Sequence, residues 1–380
     1  MDRGELRDEV GEAKRYRLVV DARMIDASGI GRYLRAALEA LVREDIELVL
    51  LGEAEAIRRS CPAIVARVLE FRLSIYDPRE HVALARLVPD CEVFFSPHVT
   101  TTRLKVRARK RVLTVHDAYH LSSASNFGLL KRWYSRFVYS SALKTSDVVM
   151  TVSEFTKEEL AREYPDHAQR IRVVPNFVDR KLFYPDSEAP RSIEGDYLLF
   201  VGNLKPHKNI GIALEAVQLL EAEGKGLRIA VAGADRGFIH GLGGELVRLR
   251  KEKLLVFIGQ PKDAELRRLY SHARALVFPS LYEGFGYPPL EAMACGCPVV
   301  CSNIPALRET CGSAASFRDP RSAADFARGI AEVLEDSLSR DSMIEAGRRR
   351  AASFSKDGFT AAIRSVVWGF LTEELRSYSR

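Results

Sequence analysis

At 380 residues the chain is longer than one hydrophobic core usually organises, so two domains of ordinary size are expected. Its formal charge of +6, from 57 basic and 51 acidic residues, falls well short of the clustered excess of a dedicated nucleic-acid binder and suits an anionic substrate or membrane surface. The six cysteines, at 61, 91, 295, 297, 301 and 311, form no CxxC pair and no His/Cys metal spacing, which points to reduced thiols in the cytoplasm. The charged start, MDRGELRDEVGEAKRYR, is no signal peptide, and no apolar run is long enough to span a bilayer, so a soluble or peripheral protein is expected.

The first strand is expected at Leu18 to Asp21, feeding the text ASGIGRY. Ser28 is placed to cap a helix with Leu34, Leu38 and Leu41 on one face, and Gly29 and Gly31 lie where a ligand can approach the backbone. A plain tight turn explains the two glycines equally well. Further strands are expected at Glu47 to Leu51 and Val93 to His98, alternating with helices. The apolar run Arg111 to Asp117 reads as a buried strand that ends in His116 and Asp117. A histidine there can donate to a sugar hydroxyl or to developing charge, and the adjacent Asp can fix its tautomer or receive a hydroxyl proton. In the competing reading both merely close the strand with local hydrogen bonds.

From Arg103 to Lys144 ten Lys and Arg residues face one acid, Asp117. The part LLKRWYSRFVY mixes cations and aromatics at helical spacing, as an anionic membrane surface or a lipid diphosphate acceptor requires. A solvated helix whose aromatic face is core is the stronger expectation, and nucleic acid is disfavoured because no recognised module accompanies the patch. Asp147 to Ser153 is the next strand, with Ser153 or Thr156 as helix cap and Glu158 and Glu159 in the first turn. Ile171 to Asn176 closes the first half, and the polar, proline-bearing Tyr184 to Pro190 reads as a linker.

The second half restarts at Tyr197 to Gly202. Lys208, just before a helix, is placed to neutralise a departing diphosphate, although an ordinary surface lysine fits the spacing as well. Strands at Leu227 to Ala232 and Leu254 to Ile258 end in Gly233 and Gly259, and Gly233 is expected to admit a nucleotide. The apolar run Ala275 to Phe278 then reads as a buried strand, and the stretch FPSLYEGFGYPPLEAMACGCPVVC, 278 to 301, carries it into a glycine loop, a helix and a second strand beginning at Pro298. Pro288 and Pro289 suit a first helical turn and Gly296 stops the helix. Gly284 and Gly286 let a ligand approach the backbone, and the helix start offers N–H groups to phosphate. Glu283 and Glu291 flank that site and suit hydroxyls, so phosphate plus polyol, a sugar nucleotide, fits the set. The bland reading is a solvent-facing loop with a carboxylate favouring the helix dipole.

Glu283 and Glu291 bracket seven residues in a setting that closely resembles the E-x7-E signature of the retaining glycosyltransferases of family GT4. SGIGRY, TVHD, TVSEFTK and VVPNFVD extend the resemblance over nearly the whole chain. It implies an α/β GT-B fold, two facing Rossmann-like doubly wound domains with a cleft between them. The acceptor domain is expected at 1–187, the nucleotide-sugar domain at 188–357, and a helix crossing back at 358–380. The resemblance gives catalytic roles to His116, Glu283 and Lys208, and donor binding to Gly29, Gly31, Asn203, Lys208, Gly233, Gly284, Phe285, Gly286, Tyr287 and Glu291. Asp117 and Arg32 are the acceptor candidates. Glu291 is assigned to the ribose, Lys208 to the phosphates, and Glu283, His116 and the amides near Phe285 and Gly286 to the sugar.

Where GT4 chains commonly carry an Arg after the glycine this one has Asn203, so Lys205 or His207 is expected to share the work of Lys208. No metal is expected, because Lys208 and helix N-termini supply positive charge and no DxD pair appears. The implied reaction moves a hexose, with retention, from a nucleotide diphosphate sugar to a saccharide or lipid-linked saccharide in cell-surface polysaccharide assembly. The text 279 to 296 most resembles mannosyltransferases of polysaccharide and O-antigen assembly, making GDP-mannose the first donor expected. A UDP-sugar transferase, a non-transferring sugar-nucleotide enzyme and a non-catalytic binding protein are the alternatives. The expected setting is the cytoplasm, with possible contact to the inner-membrane surface.

Overall fold

The computed structural model describes residues 16–75, 77–122, 127–234, 249 and 254–377, with side chains described as far as 369. The charged stretch 1–15 and residues 378–380 of the expected crossing helix lie outside the described residues. The first half runs β1 (Tyr16–Asp21), α1 (Ser28–Leu41), β2 (Ile46–Gly52), α2 (Ala54–Ser60), β3 (Arg67–Glu70), α3 (Glu80–Leu87), β4 (Cys91–Ser96), β5 (Ala108–Val115), α4 (Leu129–Lys144), β6 (Val148–Thr151), α5 (Glu154–Glu163) and β7 (Ile171–Val173). The second half runs β8 (Tyr197–Val201), α6 (Ile210–Ala222), β9 (Arg228–Ala232), β10 (Leu255–Gly259), α7 (Asp263–His272), β11 (Ala275–Phe278), α8 (Tyr287–Ala294), β12 (Val299–Ser302), α9 (Pro305–Cys311), β13 (Ser316–Arg318), α10 (Ala323–Glu335), α11 (Ser337–Ser353) and α12 (Lys356–Ser377).

The strands form a seven-stranded sheet, β3-β2-β1-β4-β5-β6-β7, and a six-stranded sheet, β10-β9-β8-β11-β12-β13. Every described pairing is parallel. In the second sheet successive side chains go to opposite faces, Leu199, Val201, Leu276 and Phe278 to one buried cluster and Leu198, Phe200, Ala275 and Val277 to another. Both faces are therefore covered, which is why these strands read as unbroken apolar runs. Each fully buried Leu, Val or Phe contributes about 1.5–3 kcal/mol.

The strand order reverses direction between β1 and β4 in one sheet and between β8 and β11 in the other. Carboxyl ends at such a reversal leave a crevice, because the crossovers on either side depart to opposite faces. The turns after β8 and β11, carrying Lys208 and Glu283, sit at that point of the second sheet.

The chain forms two compact units, Met1–Leu113 with Ser141–Val148 and Ile363–Arg380, and Thr114–Ser140 with Val149–Ala362. Two local expectations are corrected. Ser28 is the first helical residue of α1 rather than its cap, which falls at Ala27 without a side-chain hydrogen bond. Helix α5 begins at Glu154, so Glu158 and Glu159 lie in its second turn, and Ser153 caps it by accepting from the Thr156 N–H. The expected apolar face of α1 holds, with Leu34, Leu38 and Leu41 fully buried.

Candidate functional site

The turn after β8 is built to fix Lys208. Pro206–Lys208 makes one 3-10 turn, and Asn209 follows with φ 57°, the left-handed region that Asn tolerates better than most residues. The Asn209 amide then donates to the Pro279 carbonyl at 3.1 Å and the Pro320 carbonyl at 2.7 Å. The Leu281 N–H donates to the His207 carbonyl at 2.8 Å. Two of these hydrogen bonds tie the Lys208 turn to the segment following β11, and the third ties it to the segment following β13. They bring Lys208 Nζ to 2.6 Å from Glu283 Oε1, with the two side chains only 18% and 12% exposed.

The loop between β11 and α8 is shaped by its glycines. A Cβ on Gly284 would lie 2.0 Å from the His116 carbonyl oxygen, so the two backbones touch and only glycine fits. Gly286 has φ 117° and caps α8. Pro288 and Pro289 occupy the second and third positions of that helix and have no N–H, so an anion would be met by amides of the loop and Tyr287 rather than by a full helix start. The Phe285 ring is core, in edge contact with Tyr287 and Phe354, and its carbonyl accepts from the Thr310 hydroxyl at 2.7 Å. Glu291 is 3% exposed and accepts a hydrogen bond from the Tyr270 hydroxyl at 3.0 Å.

Tyr282 was not singled out from the sequence, and Ser153 and Glu159 were read there only as a helix cap and a helix carboxylate, yet the three hold this loop. The Ser153 hydroxyl donates to the Gly284 carbonyl at 2.6 Å. The Tyr282 hydroxyl accepts from the Ala118 N–H at 3.1 Å and donates to the Glu159 carboxylate. Burial pushes the Glu159 carboxyl up, and burial together with the Asp117 and Glu159 carboxylates pushes the Tyr282 phenol up, so the phenol stays a donor. The clamp places the segment Thr114 to Ala118, with half-buried His116 and Asp117, against Glu283-Gly284. Asp117 Oδ1 accepts from the Tyr119 N–H at 3.0 Å, the local closure that the competing reading expected. Such pairs, more than a hundred positions apart, leave no mark in local spacing.

His207 does not share the charge of Lys208. Its ring lies 4.5 Å from that of Tyr119, and burial, reinforced by the Lys208 ammonium, pulls its pKa down to about 4. It is neutral at pH 7, and Lys205 is exposed.

Gly233 has a structural reason of its own, since a Cβ there would lie 1.8 Å from the Gly202 carbonyl oxygen, beside the half-buried Asn203. Gly29, Gly31 and Arg32 belong to the other unit. A Cβ on Gly31 would come within 2.5 Å of the Ile25 carbonyl, whereas Gly29 has nothing within 4 Å. The described residues of that unit also hold a buried ionic network at the β1–β4 reversal. Arg23 bridges Asp21 and Glu80 at 2.7 Å each, and His98 Nε2 lies 3.3 Å from Asp21 Oδ2, near enough for an ion contact but not aligned as a hydrogen bond.

The sequence matches the family described as Glycosyl transferases group 1 over residues 187–350 and Glycosyltransferase Family 4 over 27–182. It is 31% identical over 281 residues to O-antigen chain mannosyltransferase B of Escherichia coli, covering 70% of each chain. The chain belongs to glycosyltransferase family 4. This glycosyltransferase is also 31% identical over 234 residues to the O-antigen chain mannosyltransferase RfbU of Salmonella typhimurium, covering 61% of the chain and 64% of that protein. It is 28% identical over 316 residues to the serotype-specific mannosyltransferase WbdA of Escherichia coli, of which it spans 38%. Sucrose-phosphate synthase from Thermosynechococcus elongatus superposes with a TM-score of 0.75 at 20% identity, over 96% of this chain and all of that one. The fold of the glycosyltransferase is accordingly GT-B, with two Rossmann-like parallel-sheet domains.

Proposed function

We propose that the protein is a retaining mannosyltransferase of cell-surface polysaccharide assembly, working in the cytoplasm or at its membrane surface. It would take mannose from GDP-mannose and add it to a saccharide or lipid-linked saccharide. The observation that carries the reading is the Lys208–Glu283 pair at the strand-order reversal, with the His116 backbone against Gly284 and Glu291 buried on α8. The choice of mannose is supported by the names of the O-antigen relatives.

In this reading Glu291, steadied by Tyr270, takes the ribose hydroxyls, and Lys208 with the amides of the 284–287 loop takes the diphosphate. The ammonium has three donors and can keep Glu283 while meeting a phosphate oxygen. The bond from sugar C1 to the diphosphate oxygen breaks as a bond from the acceptor oxygen forms on the same face, the acceptor's hydroxyl proton passing to the departing diphosphate. Charge grows on the leaving diphosphate, where Lys208 stabilises it, and His116 with Glu283 orients the sugar. No metal ion is invoked, since Lys208 and the loop amides carry the charge.

A panel of GDP-, UDP- and ADP-sugars with a saccharide acceptor tests this. GDP-mannose should be used fastest, the product should keep the donor's anomeric configuration by NMR, and chelator should leave the rate unchanged. A UDP-sugar used faster would replace the donor. Donor turnover without a transferred product would replace the reaction.

A further inference from the structure

The expectation that the aromatic face of α4 is core is overturned. Leu129 is 86% exposed, Leu130 82%, Trp133 67%, Tyr134 45% and Phe137 44%. At about 100° per residue these five fall within about 140° of the helix circumference. Ser135 and Tyr139, both buried, occupy the opposite side and hold the helix to the protein. Trp133 and Phe137 stack on each other with their rings 7° from parallel, so the apolar face is a preformed surface.

Cations border the face on both edges. Lys131 follows Tyr134 around the helix on one side, and Arg132 and Arg136 precede Leu129 on the other. Arg136 pairs with Glu163 at 2.7 Å, and Lys131 lies 3.8 Å above the Phe127 ring. No acidic residue occurs anywhere from Ala118 to Ser146. An apolar stripe rimmed by cations, on a helix too polar to insert, matches the boundary between acyl chains and anionic headgroups. Among the described residues no helix is long and apolar enough to cross a membrane.

We infer that the Leu129–Phe137 face of α4 is a docking surface for an anionic lipid bilayer. Rings continue from it toward the site: Phe127 lies 5.8 Å from Tyr119, whose ring lies 4.5 Å from His207, next to Lys208. Docking would thus bring the reaction to lipid-linked acceptors at the surface. That purpose rests on the transferase reading; the docking itself does not.

The test is flotation of the full chain with vesicles of phosphatidylcholine alone and of phosphatidylcholine mixed with phosphatidylglycerol, at low and high salt. Binding is expected on the anionic vesicles, about ten-fold weaker on neutral ones or at high salt, and lost in Leu130→Ser/Trp133→Ser. Because those side chains are exposed, the variant should keep the wild-type melting temperature. An independent reading comes from the Trp368→Phe protein, in which Trp133 is the remaining tryptophan and should be quenched by brominated lipid.

Absence of flotation, flotation indifferent to lipid charge, or unquenched Trp133 would overturn the inference. So would a dimer in solution that Leu130→Ser/Trp133→Ser splits, since a second copy would then cover the face. Transfer to a water-soluble acceptor, measured in parallel, separates failure of docking from failure of the transferase reading.

Discussion

Lys208 Nζ lies 2.6 Å from Glu283 Oε1, joining the turn after β8 to the loop after β11 at the reversal of strand order. Neither side chain is fully buried, so removing one partner by Lys208→Met or Glu283→Gln should cost about 1–3 kcal/mol, between the exposed and the fully buried cases. In urea unfolding, the double variant should lose less than the sum of the two. If Lys208 carries the leaving charge, Lys208→Met should also slow transfer about 100-fold or more.

The glycines of the site separate by substitution. Gly284→Ala would drive a methyl into the His116 carbonyl and should abolish activity and lower the melting temperature together. Gly29→Ala meets nothing within 4 Å, so stability should hold, or gain about 0.5 kcal/mol in the helix. A several-fold rise in donor KM is expected for Gly29→Ala if a ligand passes there. An unchanged KM would remove Gly29 from the site.

Tyr282→Phe keeps the ring and removes the acceptor of the Ala118 N–H and the donor to Glu159. Leaving a buried N–H orphaned costs about 1–3 kcal/mol. If the clamp acts through the His116 segment rather than through the loop amides, kcat should fall while donor KM stays near wild type. A parallel change in both would point to general loosening.

His207 gives the native state a pH dependence. Its folded pKa of about 4 lies below the unfolded value of about 6.5. Above about 6.5 the ring is neutral in both states; as pH falls toward about 4 the unfolded chain takes a proton the native one refuses, so stability declines across that window. Urea melts at several pH values should show this slope, and His207→Gln should flatten it.

Asp21 acts lower on the scale. Full burial pushes its carboxyl up, but His98 and Arg23 outweigh it and hold the group well below the usual carboxylate range. Its contribution is complete above the unfolded pKa of about 3.9 and is lost as pH falls further. Asp21→Asn, which leaves Glu80 as the remaining carboxylate partner of the buried Arg23, should cost about 3–5 kcal/mol and blunt the acid transition.

The strands at Leu18, Val93, Tyr197 and Ala275 were legible in the sequence because a strand buried on both faces must be a continuous apolar run. The loop Glu283 to Tyr287 was legible because glycines, prolines and carboxylates report local backbone demands. The resemblance of the E-x7-E stretch and its companion motifs to GT4 likewise pointed to the family before any coordinates. What only the tertiary structure decided are relations between distant positions: Lys208 on Glu283, Tyr270 on Glu291, Ser153 on Gly284 and Tyr282 on Ala118 and Glu159. It also decided which way the aromatics of α4 face. Amphipathic spacing defines an apolar face but not whether protein covers it, because burial depends on the elements packed beside the helix, and those are set by the sheet order.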